Sequence, residues 1–309
     1  MWTVLAFISA LCLGFYDISK KIALRDNRVV DVLTISVCVS ALVLSVPLIL
    51  SRLYPEAMQD SYAYVPAMDL QAHLFTILKS VIVLSSWVFA YISLKHLPIS
   101  VVSPMQATRP MWTLIGALLI FQEHLNGWQW IGVLLAIGSI FVFSFKVRKT
   151  SLTSKTSMTS STRWYYFCLA LAILIGSCSG LYDKYLMRQY NHNAVQVYYT
   201  LYQAVMMLVI WRIDRFAQRQ KTASLKDKRL NIVPIILISL FLIISDNVYM
   251  LALRDPDSLI AVVSTIRRGG AVIGFAYGLL FLKEPDPWRK VLCMSGIMAG
   301  LVCLAIGSI

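Results

Sequence analysis

The sequence predicts an all-α integral membrane protein with ten transmembrane helices in two inverted five-helix repeats. The observations behind this fold class are the composition, the number of long apolar runs and two motifs that each occur twice. Of 309 residues, 58% are hydrophobic and 14% are charged, whereas an ordinary soluble domain has about 25% charged residues. This composition predicts that most of the chain is surrounded by lipid.

Ten apolar runs are long enough to cross a bilayer, whose hydrocarbon core is about 30 Å thick and needs about 20 helical residues. The predicted spans are 2–24, 31–53, 74–94, 99–121, 128–147, 164–187, 195–213, 231–253, 258–282 and 288–308. The segments between them are too short for a soluble catalytic domain. Any function is therefore expected to reside within the helical bundle.

Two motifs recur at similar places in the two parts of the chain. The stretch "LGFYD" at 13–17 returns as "SGLYD" at 179–183, and 103–123 aligns with 264–284. The matches divide the chain into a first repeat at 1–147, a linker at 148–163 and a second repeat at 164–309. Because each repeat has five helices, the second is expected to insert upside down, with a cavity between the repeats near the midplane.

These features resemble the EamA-like family of the drug/metabolite transporter superfamily. The similarity covers the five-plus-five helices, the Gly-aromatic-x-polar stretch in helices 1 and 6, and a glutamate that closes helices 4 and 9. Those glutamates are Glu123 and Glu284, preceded by Gln122 and Lys283 where the family commonly has glycine. The resemblance implies a multi-pass secondary transporter in a bacterial inner membrane, with both termini in the cytoplasm.

Basic residues are concentrated in the loops after the fifth and seventh spans, at 146–163 and 212–229. By the positive-inside rule these loops are cytoplasmic and both termini lie outside, which is opposite to the orientation that the family resemblance implies. We expect the tract at 212–229 to face solvent or lipid headgroups, not nucleic acid. The cysteines and histidines lack paired ligand spacing and no phosphate-binding Walker A motif occurs, so we expect no metal, cofactor or ATP site.

Ionisable residues inside spans usually face the bundle interior or a water-filled cavity, and they mark functional sites. The candidate substrate-binding residues are Arg109, Arg267, Arg268, Asp183, Asp246, Asn247, Tyr249, Trp87, Tyr91, Tyr199 and Gln203. The candidate coupling residues are Asp17, Lys21 and Asp183. Competing structural interpretations exist, because the aromatic residues suit packing and because Asp17 and Lys21 are spaced to pair with each other.

The repeat alignment places Arg267 and Arg268 in the helix that corresponds to the helix of Arg109. It predicts that cations from both repeats meet in one cavity, where the planar guanidinium group suits a carboxylate or a phosphate. The pair also resembles a Lys-Arg pair of the plant triose-phosphate translocators. The alternative is that the arginines pair with acidic residues; since neighbouring residues point about 100° apart around a helix, we expect one arginine to face the cavity and the other to pair.

The leading functional expectation is a transporter that moves a small polar, anionic metabolite by alternating access, as a monomer or a homodimer, and is not an enzyme. Its expected partners are a small-molecule substrate and the lipid bilayer. One alternative is an exporter of cationic or aromatic compounds or amino acids, which would use the acidic and aromatic residues. A more distant alternative is a membrane-integral enzyme or a scaffold.

Overall fold

The computed structural model describes residues 1–24, 27–96, 109–151, 160–219, 232–270, 273 and 287–307. Every regular element in these ranges is an α-helix. The helices are α1 (Trp2–Leu24), α2 (Val29–Leu53), α3 (Pro55–Met58), α4 (Leu70–His96), α5 (Arg109–Ile120), α6 (Gly127–Ser151), α7 (Ser160–Gln189), α8 (His192–Arg219), α9 (Ile232–Arg254), α10 (Ile260–Arg268) and α11 (Pro287–Ile306).

Each of the ten predicted spans overlaps one of these helices. In the described part of the chain, six segments are long and apolar enough to cross a membrane, and they lie in α1, α2, α4, α7, α8 and α9. Two shorter apolar helices are Arg109–Ile120 and Ser295–Ile306. The chain is therefore a multi-pass helical membrane protein, while the count of ten spans stays a prediction.

Within the predicted span at 258–282, α10 ends at Arg268 in a tight turn, and residues 271, 272 and 274–282 lie outside the described residues. The amide of Gly269 donates to the carbonyl of Ile266 at 2.8 Å, and residues 269 and 270 form the turn. A Cβ atom on Gly270 would lie 2.3 Å from the carbonyl oxygen of Ala10. Glycine is thus required here because the turn packs directly against the backbone of α1.

We refer to residues 1–147 as the N-terminal half and to 164–309 as the C-terminal half. The most extensive helix contacts are α1 with α9, α6 with α11, α4 with α7 and α2 with α8. Each of these pairs joins one half to the other. Small residues permit the close approach: the hydroxyl of Ser9 donates to the carbonyl of Ser245 at 2.8 Å, and that of Ser245 donates to the carbonyl of Ser9 at 3.0 Å.

One end of the bundle is closed by residues 54–69, which we call the strap. The Tyr62 hydroxyl donates to Asn247 Oδ1 at 2.8 Å, and Asn193 Nδ2 donates to the carbonyl of Tyr62 at 2.5 Å. The strap belongs to the N-terminal half, whereas both asparagines belong to the C-terminal half. We call this the strap end, and we call the opposite end, where α1 and α4 finish, the mouth end.

Candidate functional site

A cavity of about 410 Å³ lies between the two halves. It extends from Asp183 and Tyr249 near the middle of the bundle toward Lys20 and Ala90 at the mouth end. The charged residues that line it are Asp17, Lys20, Lys79, Arg109, Asp183, Asp246, Arg267 and Arg268. Five of these are cations and three are carboxylates, so the described part of the lining carries a surplus of two positive charges.

Arg267 is held by a set of fixed partners. Its Nη2 atom forms an ion pair with Asp246 Oδ1 and lies 3.3 Å from Ser245 Oγ, while Nε donates to Ser9 Oγ at 3.0 Å. Its guanidinium carbon lies 4.0 Å from the centre of the Tyr249 ring. Arg267 therefore joins α10 to α1 and α9, as the structural interpretation of the sequence predicted.

Arg268 lines the same cavity but has no such partners. Within the ranges that the structure describes, its side chain makes no hydrogen bond or ion pair. Its charge interacts with the carboxylate of Asp17 across the cavity, and Asp17 likewise has no direct partner among the described side chains. The side chain of Lys21 lies outside the described residues; in α1 it is Lys20 that lines the cavity.

Arg109 is the first residue of α5 and reaches across to α7 through a gap at Gly176. A Cβ atom on Gly176 would lie 1.3 Å from Arg109 Nη2. Arg109 Nη2 donates to Ser86 Oγ at 3.3 Å. No carboxylate contacts the Arg109 guanidinium in the described part of the chain. Arg268, which carries the same charge, lines the same cavity.

Asp183 forms an ion pair with a residue of another helix. Lys79 of α4 places its ammonium group 2.7 Å from Asp183 Oδ1 and 4.6 Å from the centre of the Tyr199 ring. The partner comes from the other half and not from the helix of Asp183. Lys79 was overlooked, although it stands inside the apolar run "LFTILKSVIVL", where the rule for ionisable residues in spans applies.

The cavity brings together most of the other predicted residues. Trp87, Tyr199 and Tyr249 line it, as do the three arginines, Asp17, Asp183 and Asp246. The side chain of Tyr91 lies outside the described residues.

Asn247 and Gln203 do not line the cavity. Asn247 points to the strap end, where its Nδ2 atom donates to Gln196 Oε1 at 2.7 Å and to Asn193 Oδ1 at 3.0 Å. Asn247 directly follows Asp246 in the sequence. Because consecutive residues of an α-helix point about 100° apart, the two side chains contact different neighbours. Gln203 lines a separate pocket of about 20 Å³ between α2, α8 and α9.

Comparison with known proteins shows a family likeness in the first part of the chain. Residues 1–145 match the model of the EamA-like transporter family. This part of the chain is similar to that family. The match agrees with the resemblance derived from the motifs, and together with the apolar helices it indicates a membrane transporter.

The fold also resembles a solved structure over nearly its whole length. A chain titled "Crystal structure of protein" superposes with a TM-score of 0.72 and 9% sequence identity, over 99% of this chain and 96% of the other. At this identity the likeness describes the fold alone. No curated protein matches the sequence.

Proposed function

We propose that this EamA-like protein is a secondary transporter of a small anionic metabolite, which binds between Arg109 and Arg268 through a carboxylate or phosphate group. The observation that carries the proposal is that these two guanidinium groups, one from each half, line the cavity without a carboxylate partner among the described residues. Unpaired charges away from bulk water are costly. An anion between them offsets that cost and uses the planar donor groups of both arginines.

The charge and size of the cavity support the same substrate class. Arg267 and Lys79 are already paired with Asp246 and Asp183, so the surplus of two positive charges remains for the substrate. A volume of about 410 Å³ lies within the range of pockets that bind small molecules, about 300–1,000 Å³. The cavity therefore suits a metabolite with one or two negative charges.

Alternating access is the mechanism that we propose for this transport. The contacts of α1 with α9 and of α4 with α7 would exchange under the predicted repeat symmetry, because α1 corresponds to α7 and α4 to α9. The cavity extends toward the mouth end, and the strap closes the other end. Ten membrane spans in two inverted repeats would let the same site open to the opposite face, in a bacterial inner membrane.

Uptake into liposomes tests the proposal. The purified protein is reconstituted, and uptake of labelled dicarboxylates, phosphate monoesters, amino acids and amines is compared between the unmodified protein and Arg109→Gln, Arg268→Gln and Arg212→Gln. Arg212 is an exposed residue of α8 outside the cavity and serves as the control. We expect uptake of an anion that Arg109→Gln and Arg268→Gln abolish and Arg212→Gln preserves.

The alternative exporter of cations predicts a different pattern. Asp17 would be its binding residue, because its side chain also lines the cavity without a direct partner among the described side chains. Uptake of amines alone, lost on Asp17→Asn and unaffected by both arginine substitutions, would replace our proposal with that function.

A further inference from the structure

Glu123 lies just beyond α5 and is buried, with 6% of its surface exposed. Gln122, before it, has a φ angle of 51°, a left-handed conformation that residues other than glycine rarely adopt. The amide of Glu123 donates to the carbonyl of Ala117 at 3.4 Å. The chain thus reverses sharply after α5 and directs the carboxylate back into the bundle.

The carboxylate of Glu123 caps the start of α10. Its Oε1 atom accepts the amide of Ile260 at 2.7 Å, and Oε2 accepts the amide of Ala261 at 3.2 Å. Leu259, which precedes the helix, provides no side-chain cap. The first amides of a helix lack partners within it and carry partial positive charge, so this carboxylate satisfies donors that would otherwise be buried and unpaired.

Lys184 balances the buried charge of Glu123. Its ammonium group lies 2.6 Å from Glu123 Oε1, also donates to the carbonyl of Ser258, and is 1% exposed as a residue. Glu123 belongs to the N-terminal half, whereas Lys184, Ser258 and the start of α10 belong to the C-terminal half. Every side-chain contact described for Glu123 therefore crosses between the halves.

The contacts of Glu123 with Lys184 and with the first amides of α10 are called the Glu123 junction. This junction is linked to the cavity through α10 itself. The helix has nine residues and is about 13 Å long at 1.5 Å per residue, with the Glu123 junction at its start and Arg267 and Arg268 at its end. α10 also packs against α5, whose first residue is Arg109. The junction lies at the strap end, so parting the halves there would break its contacts.

We propose that Glu123 is a positioning residue for the substrate site: it holds α10, and with it Arg268, while the strap end is closed, and it releases α10 when that end opens. This inference rests on the proposed transport function, because it assigns the junction to one of two transport states. It goes beyond the substrate site, since Glu123 does not line the cavity.

Cysteine labelling in lipid nanodiscs tests the inference without any substrate. Two reporters are placed separately in a variant whose native cysteines are replaced. Ala6→Cys reports on the strap end, because Ala6 is fully buried in one core cluster with Ile260 and Ala261. Ala90→Cys reports on the cavity, which Ala90 lines. The reagent is a charged, membrane-impermeant maleimide, which reaches both faces of a nanodisc.

Glu123→Gln removes the ionic contact to Lys184 and weakens the cap. We expect the labelling rate of Ala6→Cys to rise about tenfold or more, as loss of charge-assisted hydrogen bonds implies, and that of Ala90→Cys to fall. Glu56→Gln, which changes an exposed glutamate of α3 at the same end, should change neither rate. If Glu123→Gln does not fold, Lys184→Gln serves as the test with the same expected changes.

Only opposite changes at the two reporters support the inference. A rise at both reporters would mean general loosening of the bundle, and unchanged rates at both would mean that the junction does not follow the transport state; either result overturns the inference. A wrong substrate class leaves the labelling result unaffected, whereas it changes the outcome of the uptake experiment, so the two proposals fail separately.

Discussion

Gly176→Ala moves Arg109 without altering any charge. The added Cβ would lie 1.3 Å from Nη2 and 2.1 Å from the guanidinium carbon of Arg109, whereas ordinary contact begins at 3.4 Å. The guanidinium must therefore retreat by about 2 Å from its place beside Ser86. Alanine favours the helix by about 1 kcal/mol over glycine, so the backbone of α7 is not weakened by the change.

The expected effect is on anion affinity. A hydrogen bond to a charged group contributes about 1.5–3 kcal/mol, so losing one such contact weakens binding about 10- to 100-fold. The affinity of the transported anion is measured by scintillation proximity binding to the purified protein. Gly180→Ala is the matched control, because a Cβ there meets only the Tyr249 hydroxyl, at an ordinary 3.8 Å. Equal affinities of the two variants would refute a role for Arg109 in binding.

Three further substitutions test the pairs that hold the bundle, each followed by thermal unfolding in nanodiscs. Arg267→Ala leaves the partly buried carboxylate of Asp246 without its partner and should cost about 1–3 kcal/mol. Adding Asp246→Asn should restore part of the lost stability, and additive losses would contradict the pair. Lys79→Met should likewise lower the stability, and adding Asp183→Asn should restore part of it. No recovery of stability in the double variant would contradict the pair of Lys79 and Asp183. Tyr62→Phe removes the bond of the strap to α9 and should cost about 1 kcal/mol, with faster proteolysis within 54–69; unchanged proteolysis would count against the strap.

The positions of the helices follow from the sequence, because an apolar run long enough to cross a bilayer must satisfy its own backbone and therefore forms a helix. The end of α10 could not be predicted in this way. It depends on the turn at Gly269 and Gly270 packing against the backbone of Ala10. That contact joins residues far apart in the chain, and no local pattern reveals it.

The sequence predicted several of the residues that line the cavity but not how they pair. A charge in a span must face the interior, which is sufficient to select Arg109, Arg267 and Arg268. Which arginine pairs depends on the neighbouring helices, since Asp246 and Ser9 meet Arg267 only after α1, α9 and α10 have packed. The same limit explains why the partner of Asp183 was missed.

The Glu123 junction shows a further limit. The sequence marks this glutamate as the end of a helix within a repeated motif, but its function as the cap of α10 depends on the left-handed conformation of Gln122 and on the contact between the halves.

Anomalous diffraction shows whether an anion binds between the guanidinium groups of Arg109 and Arg268. Crystals of the protein are soaked with a bromine-labelled dicarboxylate, and an anomalous difference map locates the bromine. We predict one strong peak inside the cavity, with a carboxylate of the ligand within hydrogen-bonding distance of both guanidinium groups, and no such peak in Arg268→Gln. A cavity without ligand density at saturating concentration, or a ligand bound away from both arginines, would contradict the claim.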